Sequence, residues 1–261
     1  MRGFSKTSVI KVHTPRIFVD QSIKLSDVII LDGSKAHHLA HVLKLRVSDP
    51  LIIFNGSGGE FQAKVIDVKK DRIQVHIEQH DPVNRESELR ITLLLAVLKK
   101  DPMRQALQRA TELGVAEIIP VWTQHLSDRK IHPSRRVETW QSIVEGASEQ
   151  SGRTQVPIIA EPQPFQEVLQ ENQSRPKGLK LIAHLNQDPL TLSQEAFNRA
   201  AGVTLAIGPE GGFSEAEIKT AVAAGYLPFS IGPRILRAET APAALLAYLQ
   251  TRFGDFQLEN I

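Results

Sequence analysis

The sequence predicts an α/β protein of two domains, a small β-rich N-terminal domain followed by a larger one in which strands and helices alternate. Three observations carry this. Residues 16–80 hold many short apolar or alternating runs separated by turn signals, the pattern of a small barrel. From Leu89 onward short apolar runs alternate with helical stripes, the pattern of an α/β sheet. Between them residues 81–88 (DPVNRESE) are polar, carry Pro82 and read as a linker. The expected domains are therefore 1–81 and 82–261.

In the first domain, 16–20 and 27–31 read as short strands. Ser34 caps a short helix that runs to Val42. Residues 51–54, 61–68 and 73–77 are the next strands, split by NGSGG at 55–59 and KKDR at 69–72. In the second domain 91–97 is a strand, and Asp101 caps a helix with Pro102 at its first position. Met103, Leu107, Ala110 and Leu113 form that helix's apolar stripe, Gly114 ends it, and 115–121 is the next strand. Residues 134–150 form a helix with Val137, Trp140, Ile143, Val144 and Ala147 on one face. Residues 157–160 and 179–183 are further strands. The stretch 203–241 reads as strand (203–207), Gly-rich loop, helix, strand (227–231), charged loop, and the start of a last helix. Ser214 with Glu217 three residues on is a capping box, and Gly225 stops that helix.

Composition excludes several classes. No apolar run is long enough to span a bilayer, and the basic N-terminus lacks the apolar core of a secretory signal. Cysteine is absent, so there are no disulfides, thiolate zinc sites or covalent cysteine adducts on a pyrimidine. That fits a cytoplasmic protein and an acceptor that is a nitrogen or oxygen. Net charge is only +2, so nucleic-acid binding must come from local patches. One patch is Lys35, His37, His38, His41, Lys44 and Arg46, with no acid among them. The pattern alone suits a phosphate-contacting face and a solvated helix face equally. A second is Arg129, Lys130, Arg135 and Arg136, in the polar connection 122–136. The histidines lack a nearby carboxylate or thiolate, and no metal site is expected.

Three loops leave strand ends: 184–186, 208–212 (GPEGG) and 231–237 (IGPRILR). Ligands of α/β sheets sit at such ends. Neither a P-loop nor a G-x-G-x-x-G fingerprint is present, which argues against a nucleotide-phosphate enzyme. The combination of GPEGGFS at 208–214 and IGPRILRAETA at 231–241 closely resembles the ribosomal RNA small subunit methyltransferase E family. ATELGV at 110–115, EQSGR at 149–153 and HHLAHVLKLRV at 37–47 are similar to its other signatures. Lys44 and Arg109 stand where the family pattern has Arg and Lys, and Ser48 replaces a Gly.

The resemblance implies a SPOUT-type, trefoil-knotted parallel-sheet domain preceded by a PUA-like β-barrel. It implies S-adenosylmethionine as cofactor, 16S rRNA as partner and methylation of N3 of a uridine near the decoding region. A homodimer and the knot enter by resemblance alone. The implied cofactor cradle comprises His184, Leu185, Asn186, Ile207, Gly208, Pro209, Gly211, Gly212, Ile231, Gly232, Ile235, Leu236, Thr240 and Ala241. Arg237, then Arg234, are the candidates to stabilise charge on the uracil carbonyls. Glu210 and Glu239 are the carboxylates that favour the sulfonium or take a proton. RNA contacts are expected from Arg16, Lys35, His37, His38, Lys44, Arg46, Arg129 and Arg153. A non-catalytic RNA-binding protein is the competing reading, and an intact cradle argues against it. The last helix, 241–249, has apolar residues for a dimer interface or for its own core.

Overall fold

The computed structural model describes residues 14–125, 133–172, 178–185 and 202–256. The chain divides into two compact units between Asn84 and Arg85. In the first, β1 (Arg16–Phe18), β2 (Val28–Asp32), β3 (Pro50–Phe54), β4 (Glu60–Val68) and β5 (Arg72–Asp81) form one sheet in the order β1-β3-β4-β5-β2. The sheet is a half-barrel, with β1 parallel to β3 and the other pairs antiparallel. Alternation explains it: Leu51 and Ile53, Ala63 and Val65, and Ile73, Val75 and Ile77 all face one core. Helix α1 (Gly33–His37) runs directly into a single π-helical turn (His38–Val42), which buries Ala36 and Leu39 and leaves the histidines outside.

The second unit is a parallel sheet between helices. Its strands are β6 (Ile91–Ala96), β7 (Glu117–Trp122), β8 (Ile158–Ile159), β9 (Gln163–Pro164), β10 (Leu179–Ala183), β11 (Val203–Ile207) and β12 (Leu227–Phe229). The order is β12-β10-β11-β6-β7-β8, with β9 also on β7. On one face lie α2 (Lys100–Glu112), α3 (Pro133–Ser151) and the last helix α6 (Ala241–Phe253). Their Met103, Leu107, Val144, Leu245 and Leu249 pack on Leu93, Leu95 and Leu205. On the other, α4 (Phe165–Glu171) and α5 (Glu215–Ala223) cover Leu94, Ala96 and Ala206. Strand β6 is buried on both faces, which is why its run ITLLLA shows no alternation. The last helix gives Leu245, Leu246 and Leu249 to its own core, the plainer of the two readings of its apolar stripe.

Some boundaries differ from expectation. Helix α2 starts two residues early, with Lys99 at the cap, so Pro102 sits inside the first turn, where its missing N–H is still harmless. Strand β12 ends at Phe229, which frees Ile231 for the following loop. Strand β9 and helix α4 were not foreseen, because 163–171 carries too short a stripe to register.

The stretch 81–88 is firmly held at one point. Glu86 accepts Arg153 Nε at 2.9 Å and Nη2 at 2.5 Å, and its other oxygen accepts the amides of Thr154 and Gln155 at 2.8 and 3.0 Å. Arg153 Nη1 donates to the carbonyls of Thr111 and Val115 at 3.0 and 2.8 Å. Four of these charge-assisted bonds end on Glu86 and tie the segment after β5 to the end of α3, and the two from Arg153 Nη1 carry the tie on to the end of α2.

Candidate active site

Strands β10, β11 and β12 end side by side, and three loops leave their carboxyl ends. Between them and the start of α6 lies a cavity of about 530 Å³. Strand β11 delivers Ile207 into Gly208–Gly212, a tight turn closed by the Gly212 amide donating to the Pro209 carbonyl at 2.8 Å. Gly212 has φ +70°, which only glycine adopts without strain. A Cβ on Gly208 would lie 3.0 Å from the Phe213 amide nitrogen, so the turn doubles back too closely for a side chain there. Phe213 stacks on Phe165 with centroids 4.6 Å apart, anchoring the turn to α4. Strand β12 delivers Phe229 and then 230–236. Helix α6 closes the floor with Ala241, Ala244 and Leu245.

The structure brings most of the expected cradle together. His184, Leu185, Ile207, Gly208, Pro209, Gly211, Gly212, Ile231, Gly232, Ile235, Leu236 and Ala241 all line the cavity, as do Glu210 and Arg234. Thr240 does not; it stands at the N-cap of α6. Asn186 lies outside the described residues. Arg237 and Glu239 are not on the cavity wall. The Arg237 side chain is 86% exposed, with Nη1 4.0 Å from a Glu239 carboxylate oxygen. Glu239 is held from behind, since Arg109 Nη1 donates to its carbonyl at 3.1 Å and Nη2 to Gln105 Oε1. Sequence reasoning missed Phe213, Phe229 and Leu245, whose only signal was their place beside the glycine turn, at a strand end and on the inner face of the last helix.

The expected RNA-facing residues separate into two groups. His37, His38 and His41 on the helical segment of the first unit, and Lys44 and Arg46 just after it, are all exposed, with the rings of His37 and His41 4.6 Å apart. Lys44 holds a left-handed backbone, φ +56°, just after the π-helical turn. Two others, Arg16 and Arg153, need correction, and Lys35 is half-buried. Arg16 is buried, paired with Glu60 and laid on the Phe54 ring. Lys35 donates to the Phe18 carbonyl at 2.7 Å. Arg153 is 6% exposed and committed to Glu86 and two carbonyls. Arg16 and Arg153 are buried against partners far along the chain, which a sequence does not reveal. Arg129 lies outside the described residues. Among the described residues no group of three or more His, Asp or Glu is placed to hold a metal ion.

Comparison with known proteins decides the family. Residues 85–250 match the model of an RNA methyltransferase domain, and 31–78 that of an RNA methyltransferase PUA domain. A ribosomal RNA small subunit methyltransferase E from Buchnera aphidicola is 31% identical over 97% of this chain and 100% of its own length. The chain belongs to the ribosomal RNA small subunit methyltransferase E family. A methyltransferase E from Synechocystis is 33% identical over 94% of this chain and 80% of its own. Among solved structures, methyltransferase E from Neisseria gonorrhoeae, bound to S-adenosyl methionine, is 33% identical with a TM-score of 0.86. It covers 94% of this chain and 100% of its own. A Legionella pneumophila structure, described as a complex with the cofactor SAM, gives the same TM-score and coverage at 35% identity. The fold is therefore that of a SPOUT methyltransferase with an N-terminal PUA-like domain. Methyltransferase E signatures that looked separate in the sequence meet physically: ATELGV supplies the carbonyls that Arg153 of EQSGR holds, and Arg109 beside it holds Glu239 of RAET.

Proposed function

We propose that this protein transfers a methyl group from S-adenosylmethionine to N3 of one uridine of 16S rRNA, in the decoding region near the 3′ end. The observation that carries the reading is the strand-end cavity, formed by the loops that hold the methyltransferase E motifs. Its residues fit the cofactor. The volume lies in the range of small-molecule sites, roughly 300–1,000 Å³. Ile207, Phe229, Leu236 and Leu245 offer an apolar wall to the faces of an adenine ring. The glycine turn brings backbone rather than phosphate-type charge to the rim, which suits adenine's hydrogen-bonding edge. Bound there, S-adenosylmethionine supplies an electrophilic methyl group.

The chain's own residues do the rest. Loops 184–185, 207–213 and 230–236 orient the cofactor so that methyl and acceptor nitrogen meet in line. Arg237, turned to solvent, meets the uracil carbonyls and stabilises the negative charge that develops as N3 loses its proton. Arg234, on the cavity wall, is second in that role. Glu210 shares that wall and is the carboxylate placed to accept a proton, while Glu239 orients Arg237. The exposed face of His37, His38, His41, Lys44 and Arg46 contacts RNA phosphates. The strand order, in which β12 lies beyond β10, is consistent with the trefoil knot that the resemblance implies. The domains divide near residues 81–88, and the protein works in the cytoplasm as a homodimer. The homodimer rests on the family resemblance.

Isotope-labelled methyl transfer to small ribosomal subunits, with mass mapping of the modified nucleotide, tests the reaction. Label on a uridine base at N3 supports it; label on a ribose 2′-oxygen would move the acceptor while keeping the enzyme. Gly208→Val is expected to weaken S-adenosylhomocysteine binding at least about tenfold in titration calorimetry, because the side chain has no room against Phe213. The double substitution Lys44→Ala, Arg46→Ala is expected to weaken RNA binding and to lower the log–log salt slope by roughly 1–2. An unchanged slope would place the RNA elsewhere.

A further inference from the structure

The carboxylate of Glu217 does more than cap its helix. One oxygen, Oε2, accepts the Ser214 amide at 2.8 Å and the Ser214 hydroxyl at 3.0 Å, and the Glu217 amide returns a bond to Ser214 Oγ at 3.3 Å. That is the complete capping box, and it uses a single oxygen of the carboxylate. The other oxygen, Oε1, accepts the amide of Gln124 at 2.8 Å, from a residue 93 positions away in the loop that leaves β7. Glu217 is only 5% exposed. A glutamate that serves a cap alone has no need to be buried, and burying a carboxylate is unfavourable unless its oxygens are satisfied. Both are.

The tie has a geometric consequence. The residue after Gln124 is His125, and it lies against the glycine turn. A Cβ built on Gly211 would sit 3.4 Å from Cβ and 3.6 Å from Cγ of His125. Gly211 lines the cavity, while His125 does not. The turn is therefore held between the cavity on one side and His125 on the other. On its far end it is continuous with Ser214, whose amide Glu217 also holds.

We propose that Glu217 is a positioning residue that locks the 208–212 turn by fixing both Ser214, which follows the turn, and the loop that sets His125 behind Gly211. It acts on a methyl-transfer site only through that turn, and so rests on the cavity reading above.

Glu217→Gln separates the two roles. Glutamine still serves at the third position of a capping box. It has one acceptor oxygen instead of two, and its amide NH₂ repels the Gln124 N–H. Amide hydrogen exchange of the full chain, measured residue by residue, reads the result without any ligand. Exchange at Gln124 and Gly212 is expected to rise at least tenfold, with Ser214 and α5 unchanged. In parallel, the Kd for S-adenosylhomocysteine is expected to rise about tenfold, the scale of one hydrogen bond to a charged group. Unchanged exchange at Gln124 and Gly212 would overturn the lock, as would loss of protection at Ser214 alone. Faster exchange of the turn with an unaltered Kd would overturn its bearing on binding. His125→Gly gives a second route, since it removes the backing of Gly211 and leaves the capping box intact; it too is expected to weaken binding, and full affinity would remove His125 from the lock. If the unsubstituted chain binds no S-adenosylhomocysteine, the cavity reading fails, while the exchange result still judges the lock.

Discussion

Replacing Arg237 with alanine is expected to lower methyl transfer by about 10²–10³-fold, the loss that follows removal of one donor to a developing negative charge. The Arg237 side chain is 86% exposed and is not part of the cavity wall, so the same substitution is expected to leave S-adenosylhomocysteine affinity within about twofold. Its contact with Glu239, at 4.0 Å and open to solvent, contributes little to folding. Single-turnover methyl transfer and calorimetry on one preparation separate the two quantities. Loss of both together would reassign Arg237 to the cofactor site. Arg237→Lys keeps the charge and loses the planar fork, and an intermediate rate is expected if two carbonyl contacts matter.

Glu86→Ala is expected to destabilise the second unit by about 3–5 kcal/mol, the range for breaking a buried pair from one side. Arg153 would keep its bonds to the Thr111 and Val115 carbonyls but lose the Glu86 carboxylate, while the amides of Thr154 and Gln155 would lose their acceptor. At roughly 2–4 °C per kcal/mol for a unit of this size, the melting midpoint falls by on the order of 10 °C. Thermal unfolding followed by circular dichroism measures it. The double substitution Glu86→Ala, Arg153→Met is expected to be less damaging than the sum of the two single changes, since no charge remains buried without a partner. Strict additivity would show that the two side chains act independently, against the geometry.

Much of the architecture was legible in advance because its causes are local. Alternation in 61–68 and 73–77 specified half-buried strands, the mostly apolar run 91–97 specified a core strand, and Ser214 with Glu217 marked a helix start. The cradle was legible for a related reason. Its loops follow strands directly, and 208–212 and 231–237 carry glycine and proline where the backbone must turn, so their positions at the sheet's carboxyl edge follow from the order of elements alone.

Charge was where sequence reasoning failed. Arg16, Lys35 and Arg153 look like any exposed cation when only chain neighbours are known. Their partners, Glu60, the Phe18 carbonyl and Glu86, lie 44, 17 and 67 residues away, and only folding sets those distances. The Gln124–Glu217 bond spans 93 residues and left no mark beyond a capping motif that explained itself locally. Sequence by itself therefore determined most of the strands, helices and turns, and that three loops, two of them bearing glycine and proline, leave strand ends, because backbone preference and apolar periodicity act over a few residues. The tertiary structure alone decided which charged groups face solvent and which are buried struts, because the free energy of a charge depends on the groups that surround it, and those come from everywhere in the chain.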